Sequence, residues 1–412
     1  MLRLELKTDK FENRLLIFTQ YRLFMFTVKG TAKLEHSYNL IDMNLIESRQ
    51  PDRLIIGFRS NESRHPYCFH SCDPNQEEIN LIICHMVSSL KILFPSISFE
   101  SFIKRFIVEP RQRLENIYEY VQLMEERIRF RSHHHDHDHH HYPCGGFSNQ
   151  YACFCDYYGV PYREEVAWDI DTIYAAHNNT ELSILDFEHL DLKDLLPLIA
   201  ALTYNGYFTK FRVSNVKIVN SSQSGSEQIC ELIVNLVRRS TRIEEIYLDN
   251  TGIRADFVNK LFQAMLLNNQ TSIQIIDLSN NSIEDKGLKN MTSFVAKFFH
   301  MANSLMNNSS EDDLSSSLSL NFSTQITSQQ PQSNSNTVTS SAKLMYKGLV
   351  HLNLSHCGIT SKGISELSES LYLNKSMFST LSYLNLSDNC LKDDLSVSSI
   401  VYNCLIPKIS FS

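Results

Sequence analysis

No stretch of this chain is apolar for long enough to cross a bilayer. Runs such as LLIF at 15–18 and LIIC at 81–84 fall far short of the roughly 20 residues that a spanning helix needs. The amino end, MLRLELKTDK, has no apolar stretch of the kind a secretory signal carries, so a cytosolic protein is expected. A basic excess is also missing. Residues 1–130 hold 18 Lys and Arg against 17 Asp and Glu, a balance of +1, and residues 131–412 hold 20 against 29, a balance of −9. The acidic second part argues against nucleic acid as a partner. Ten cysteines in 412 residues do not make a disulfide scaffold, and Cys230, Cys357 and Cys390 fall where a small apolar residue would serve, so the cysteines read as reduced and buried. Signatures of catalysis are absent as well: there is no GxSxG, no Walker phosphate loop, no HExxH and no GxGxxG after a strand. Gly145-Gly146 is a lone pair that reads as a turn. No enzyme, catalytic residue or cofactor is expected.

What the chain does have is a repeat. The pattern of IEEIYLDNTGI at 243–253 returns as IQIIDLSNNSI at 273–283, LVHLNLSHCGI at 349–359 and LSYLNLSDNCL at 381–391. Apolar residues fall at positions 1, 4, 6 and 11, as in Ile273, Ile276, Leu278 and Ile283, which marks a leucine-rich repeat. Position 9 is Asn281 or Asn389 in two copies, where a side-chain amide can bond backbone groups left unpaired by a tight turn, and Thr251 or Cys357 in the others. Starts spaced 30 and 32 residues apart leave room for a helix in each unit. Phe257, Leu261, Phe262, Met265 and Leu266 follow the helical period, as do Ile364, Leu367 and Leu371. Weaker copies begin at 208 and at Leu182, making about six units. The expected architecture is an α/β leucine-rich-repeat solenoid of ribonuclease-inhibitor type, strands on the concave side and helices on the convex side.

Ahead of the repeats, residues 2–72 read as short strands: LRLELK, RLLIFT, RLFMFTV and further runs near 34–41, 53–59 and 66–70. A helix is expected next, capped by Asp73 with Pro74 at its first position and Gln76 completing a capping box, its apolar stripe running from Ile79 to Leu93. Strands closed by one such helix are the layout of a small pleckstrin-homology-like β-barrel with a C-terminal helix. Residues 109–131 read as a charged helix bridging barrel and solenoid, and the aromatic-rich stretch from Pro143, which holds the single Trp168, as a cap on the first repeats. The expected divisions are 1–96 for the barrel, 97–180 for linker helix, His-rich loop and cap, and 181–412 for the repeats. The polar segment 302–345 is expected to be a disordered insert.

The order of these parts, with KTDKFENR at 7–14, FPSIS at 94–98, the PCGGF…YACFCDYYG…REEVAWDIDTIY stretch, DLLPLIAALTYNGYFTK at 194–210 and LSYLNLSDN at 381–389, strongly resembles the CARMIL family of capping protein, Arp2/3 and myosin-I linkers. The resemblance implies a non-enzymatic, membrane-associated scaffold. Such a scaffold regulates capping of actin filament barbed ends, protrusion and cell migration, and is recruited from the cytoplasm to the plasma membrane and leading edge. It further implies that this chain is a fragment lacking the tail with which family members bind actin capping protein, and that its repeats offer a surface to protein partners. The alternative is a generic cytosolic leucine-rich-repeat sensor or GTPase regulator, for which Arg238-Arg239 on a repeat helix is the one suggestive pair.

Two further features invite a site. Between 133 and 141 lie seven His and two Asp, with Cys144, Cys153 and Cys155 following. There is no CxxC, and CFC reads as strand or turn, so an unstructured His loop with adventitious metal affinity is the better reading than a zinc site. Among residues 1–33, seven basic side chains outnumber three acidic ones, and Lys7, Lys10, Arg14 and Arg22 are the candidates for weak attraction to anionic lipid, set against an ordinary solvated edge.

Overall fold

The computed structural model describes residues 2–6, 10–61, 65–71, 77–133, 142–219, 225–294, 348–373, 380–391 and 408–410. Lys7, the Asp73, Pro74 and Gln76 cap, all but His133 of the His-rich tract, and the insert 302–345 lie outside them.

An N-terminal eight-stranded sheet forms first, in the spatial order β4-β3-β2-β1-β7-β6-β5-β8. Its strands are β1 (Leu2–Glu5), β2 (Phe11–Phe18), β3 (Arg22–Lys29), β4 (Thr31–Asn39), β5 (Met43–Ser48), β6 (Arg53–Phe58), β7 (Tyr67–His70) and β8 (Arg105–Val108). Alternating apolar residues turn Leu2, Leu4, Leu23, Met25, Leu54, Ile56 and Phe69 into the core. Helix α1 (Glu78–Leu93) lays Ile79, Ile83, Met86, Val87, Leu90 and Leu93 over it. Two strands were not anticipated. β5, MNLIES, breaks the alternation with Asn44 and Glu47, and β8 pairs in parallel with β5 from beyond the division expected at residue 96. Helix α2 (Arg111–His133) buries Ile117 and Val121 and packs along α1 and β8. It therefore belongs to the N-terminal unit, where a bridge was expected.

The stretch 153–155 is helical, contrary to the strand or turn expected for CFC. It lies within α3 (Phe147–Tyr158), bounded by Gly146 and Gly159 at φ of 78° and 65°, a left-handed conformation that glycine adopts without strain. Its buried residues follow a helical face, the apolar Phe147, Tyr151 and Phe154 together with the polar Gln150. After it come α4 (Glu164–Trp168), continued as a π-helix over Asp169–Tyr174, and α5 (Leu196–Tyr204). Phe147 and Tyr174 both pack their rings against Phe208 of the first repeats. Trp168 stays on the surface, 59% exposed.

The repeats stack as a parallel seven-stranded sheet: β9 (Glu181–Ser183), β10 (Lys210–Arg212), β11 (Glu245–Tyr247), β12 (Ile275–Asp277), β13 (His351–Asn353), β14 (Tyr383–Asn385) and β15 (Lys408–Ser410). Among the described residues, KIS at 408–410 adds a seventh strand beside the strands of the six units anticipated. Between strands run α6 (Ser226–Arg239), α7 (Ala255–Leu267), α8 (Glu284–Gly287) and α9 (Ser361–Leu373). Asn281 ties neighbouring units together. Its Oδ1 accepts from the backbone N–H of Thr251 and Gly252 at 3.1 and 2.9 Å, and its Nδ2 donates to the carbonyls of Leu248 and Leu278 at 2.8 and 2.9 Å. Asn389 repeats the arrangement for Cys357 and Ile359. The cysteines described are free. Most are buried, but Cys390 is exposed, where a buried position was expected.

The two sheets share one hydrophobic core. Phe94 and Phe102, from the end of α1 and the turn after it, meet Phe154 of α3 and Tyr204 of α5, with ring centroids 4.7 to 6.1 Å apart. Beside them Gln150 Nε2 donates to the Leu93 carbonyl at 3.1 Å, and Asn205 Nδ2 donates to Gln150 Oε1 at 3.0 Å. Gly206 comes so close to Ser96 that a Cβ there would overlap the serine side chain.

Candidate functional site

In the repeat strands β9 to β14 the middle residue is buried and its two neighbours are half-buried on the opposite face, as the period of two requires. That face is lined by Glu181, Lys210, Arg212, Glu245 and Tyr247 on β9–β11, and by Asp277, His351, Asn353 and Tyr383 on β12–β14. The first group forms a ladder across three strands. Arg212 grips Glu181 with two parallel bonds, Nε to Oε1 at 2.7 Å and Nη2 to Oε2 at 3.1 Å. The guanidinium lies over the Tyr247 ring, 3.8 Å from its centroid. Tyr247 donates its hydroxyl to Glu245 Oε2 at 2.6 Å, and Lys210 Nζ sits 2.9 Å from Glu245 Oε1. The hydrogen bonds that Arg212 donates to Glu181 raise its pKa, and burial, reinforced by Glu245, raises that of Tyr247. Both groups therefore hold their protonated forms.

Further along the face, Asn353 Nδ2 donates to Asp277 Oδ2 at 2.8 Å, and the His351 and Tyr383 rings lie 4.2 Å apart. The ladder's charged groups are preorganised by one another, and its amphipathic aromatics present both an apolar ring and a polar tip. Such a surface suits recognition of a protein partner. The apolar spacing of the repeats marks these strands in the sequence without assigning the face to particular residues. The signal was there in the half-buried positions flanking each central apolar residue, which the repeat alignment leaves free to vary.

Of the four basic residues expected at an anionic lipid surface, the three described do not gather. Lys10 is exposed at the end of the β1–β2 loop, while Lys7 lies outside the described residues. Arg14 is only 3% exposed, bonded through Nε to Glu35 Oε2 at 2.6 Å and paired with Glu12 at 3.0 Å. Arg22 reaches across to α3, where its Nε lies 2.8 and 2.7 Å from the Asp156 carboxylate oxygens and its Nη2 donates to the Asp156 carbonyl at 3.0 Å. Asn39 donates to the same carboxylate at 2.7 Å. Arg22 is thus a clamp between the N-terminal sheet and the segment covering the repeats. No local signal in the sequence joins it to a carboxylate 134 residues away. Arg238 and Arg239 are exposed at the end of α6. Among the described residues, no helix is long and apolar enough to cross a membrane.

Residues 1–95 match a family model described as the Carmil pleckstrin homology domain, residues 144–336 one described as the CARMIL family LRR domain, and residues 349–368 and 379–394 one described as a leucine rich repeat. The human protein named capping protein, Arp2/3 and myosin-I linker protein 3 is 32% identical over 294 residues, 70% of this chain and 19% of the relative. Protein CARMIL of Dictyostelium discoideum is 33% identical over 156 residues, covering 37% of this chain and 14% of the relative. A Dictyostelium discoideum protein named Rho GTPase-activating protein gacW is 22% identical over 391 residues, 94% of this chain and 27% of the relative. The chain spans about a fifth of the length of the first of these relatives.

Proposed function

The chain belongs to the CARMIL family, and from that membership we propose that it supplies the pleckstrin-homology and repeat portion of a non-enzymatic scaffold controlling the capping of actin filament barbed ends, and with it protrusion and cell migration. The observation that carries this reading is the order of the two CARMIL matches along one chain, 1–95 and then 144–336. On this reading the repeats curve as a ribonuclease-inhibitor-like solenoid, and the Arg212, Tyr247 and Glu245 ladder on its inner side receives a protein partner. Actin capping protein is the partner of the full-length product. The test uses that product in an actin elongation assay with filaments blocked by capping protein. Addition should restore barbed-end elongation; filaments that stay blocked at saturating scaffold would overturn the reading.

Recruitment from the cytoplasm to the inner face of the plasma membrane and leading edge is part of the same proposal. Arg14 and Arg22 serve the fold, so the attraction to anionic lipid rests on Lys7 and Lys10, at about 1 kcal/mol for each engaged residue. Cosedimentation with phosphatidylserine vesicles should be weak, fade as salt is raised, and disappear in the Lys7→Glu, Lys10→Glu double variant. Undiminished sedimentation of that variant would place the contact elsewhere or nowhere.

The similarity to the protein named as a Rho GTPase-activating protein favours a second reading, regulation of a GTPase by an exposed arginine such as Arg238 or Arg239. Its lower identity, 22% against 32%, ranks it behind the scaffold. Unchanged hydrolysis by Rho-type GTPases in the presence of the full-length product would dismiss it.

A further inference from the structure

The outer face of the N-terminal sheet carries a cluster that neither the scaffold reading nor the junction uses. β1 and β7 pair antiparallel, with Arg3 opposite His70 and Leu4 opposite Phe69. Leu4 and Phe69 turn into the core, so Glu5, Cys68 and His70 project from the other side. Glu5 Oε2 lies 3.0 Å from Cys68 Sγ and 2.9 Å from His70 Nε2, and Sγ and Nε2 are 3.6 Å apart. The Phe11 ring meets the His70 imidazole edge-on at 5.1 Å and fixes its orientation.

We propose that Glu5, Cys68 and His70 form a site for one thiophilic divalent metal ion of the zinc class, bound through a carboxylate oxygen, a thiolate sulfur and an imidazole nitrogen, with water as the fourth ligand. Zinc bonds of about 2.3 Å to sulfur and about 2.0 to 2.1 Å to nitrogen and oxygen, arranged tetrahedrally, hold ligand atoms roughly 3.3 to 3.6 Å apart. The sulfur–nitrogen pair already stands at 3.6 Å. The two contacts to Glu5 must each open by about half an ångström, a movement within reach of side-chain torsion. A thiolate with an imidazole selects zinc-like ions over magnesium or calcium, which take oxygen donors. His70 and Glu5 are partly solvent-exposed, so an ion has a path in.

The step balances simply. The six-coordinate aqueous ion gives up five waters and keeps one as it takes the three protein ligands, the Cys68 thiol proton leaves to solvent as the metal–sulfur bond forms, and His70 gives up the Nε2 proton that faces Glu5 and binds as the neutral imidazole with its hydrogen on Nδ1. Burial, with the Glu5 carboxylate beside it, pushes the Cys68 thiol up to about 11, so the ion displaces a proton that is held more firmly than usual. Arg53 on β6 occupies the cluster in the ion's absence, its Nε 3.0 Å from Cys68 Sγ and its Nη2 3.5 Å from Glu5 Oε2. Its side chain is 42% exposed and can swing into solvent when a cation enters. Arg53 therefore competes with the metal.

The experiment titrates Co2+ into the full chain with residues 133–141 replaced by a Gly/Ser linker, because seven histidines there would otherwise bind the ion. One equivalent should produce a thiolate-to-cobalt charge-transfer band, and Zn2+ should displace it. Cys68→Ser should abolish the band and weaken Co2+ binding by more than about 100-fold, beyond the roughly 10- to 100-fold that loss of an outer partner costs. Arg53→Gln should tighten binding several-fold. His70→Asn, read in the same way, decides the matter if Cys68→Ser alters the circular dichroism spectrum. A parent chain without the band, or a folded Cys68→Ser or His70→Asn variant that binds as the parent does, would overturn the site.

Discussion

In the N-terminal sheet, β2, β3 and β4 run eight, eight and nine residues and pair antiparallel with their neighbours in sequence. In the repeat sheet each strand is three residues long and pairs in parallel with a unit some thirty residues away, or more where the insert intervenes. The long strands tolerate irregularity, such as the register shift between Met25 and Phe26, because many ladder bonds flank it. A three-residue strand has no such reserve. It is held by the buried central side chain and by the turn that follows, where Asn250, Asn280, His356 and Asp388 take left-handed φ of 51° to 58°. One sheet is secured along its strands and the other at its corners, and substitutions should separate the two.

The largest effect should come from the place where the sheets meet. Phe154→Ala removes a buried ring packed between Phe94 and Tyr204, and should cost about 3 to 5 kcal/mol. Because that ring belongs to the shared core, denaturant unfolding should change from one transition to two, the repeats parting from the N-terminal sheet. A single transition shifted by under about 1 kcal/mol would show that the junction contributes little to cooperativity.

Asn281→Ala should act within the repeats alone. It strands buried backbone groups of Thr251, Gly252, Leu248 and Leu278, each worth roughly 1 to 3 kcal/mol when unpaired, and a partly compensated net loss of about 2 to 4 kcal/mol is expected. Amide hydrogen exchange should rise at Thr251 and Gly252 while β1–β7 keep their protection. Equal acceleration in both sheets would erase the distinction between ladder and corner.

Removing residues 302–345 should have the smallest effect. β12 and β13 pair directly, Ile276 opposite Leu352, although 76 residues separate them in sequence. Loop-closure entropy changes by only about 0.6 kcal/mol per doubling of loop length, so a connection shortened by between two and three halvings should leave stability within about 1.5 kcal/mol of the parent. A melting temperature lowered by more than a few degrees would mean that the segment packs against the repeats.

The repeats were legible in the sequence because their information is local. The apolar spacing in IQIIDLSNNSI names the buried strand residue Ile276, the turn and the corner amide of Asn281 within eleven consecutive positions. The strand-rich start and α1 followed from alternation and helical period in the same way. β5 escaped because Asn44 and Glu47 disturb its alternation, and β8 because four residues after a turn carry too little pattern to be distinguished from loop. The candidate lipid site read least well. Arg14 and Arg22 look like free charge in one dimension, and only the folded chain sets Glu35 and Asp156 against them. The same holds for the Phe94, Phe102, Phe154 and Tyr204 cluster and for Glu5, Cys68 and His70, whose members lie far apart in the chain. Periodicity records which face a side chain must bury, and that much belonged to the sequence by itself. Which distant partner it meets is set by how strands register and sheets dock, and only the tertiary structure decided that.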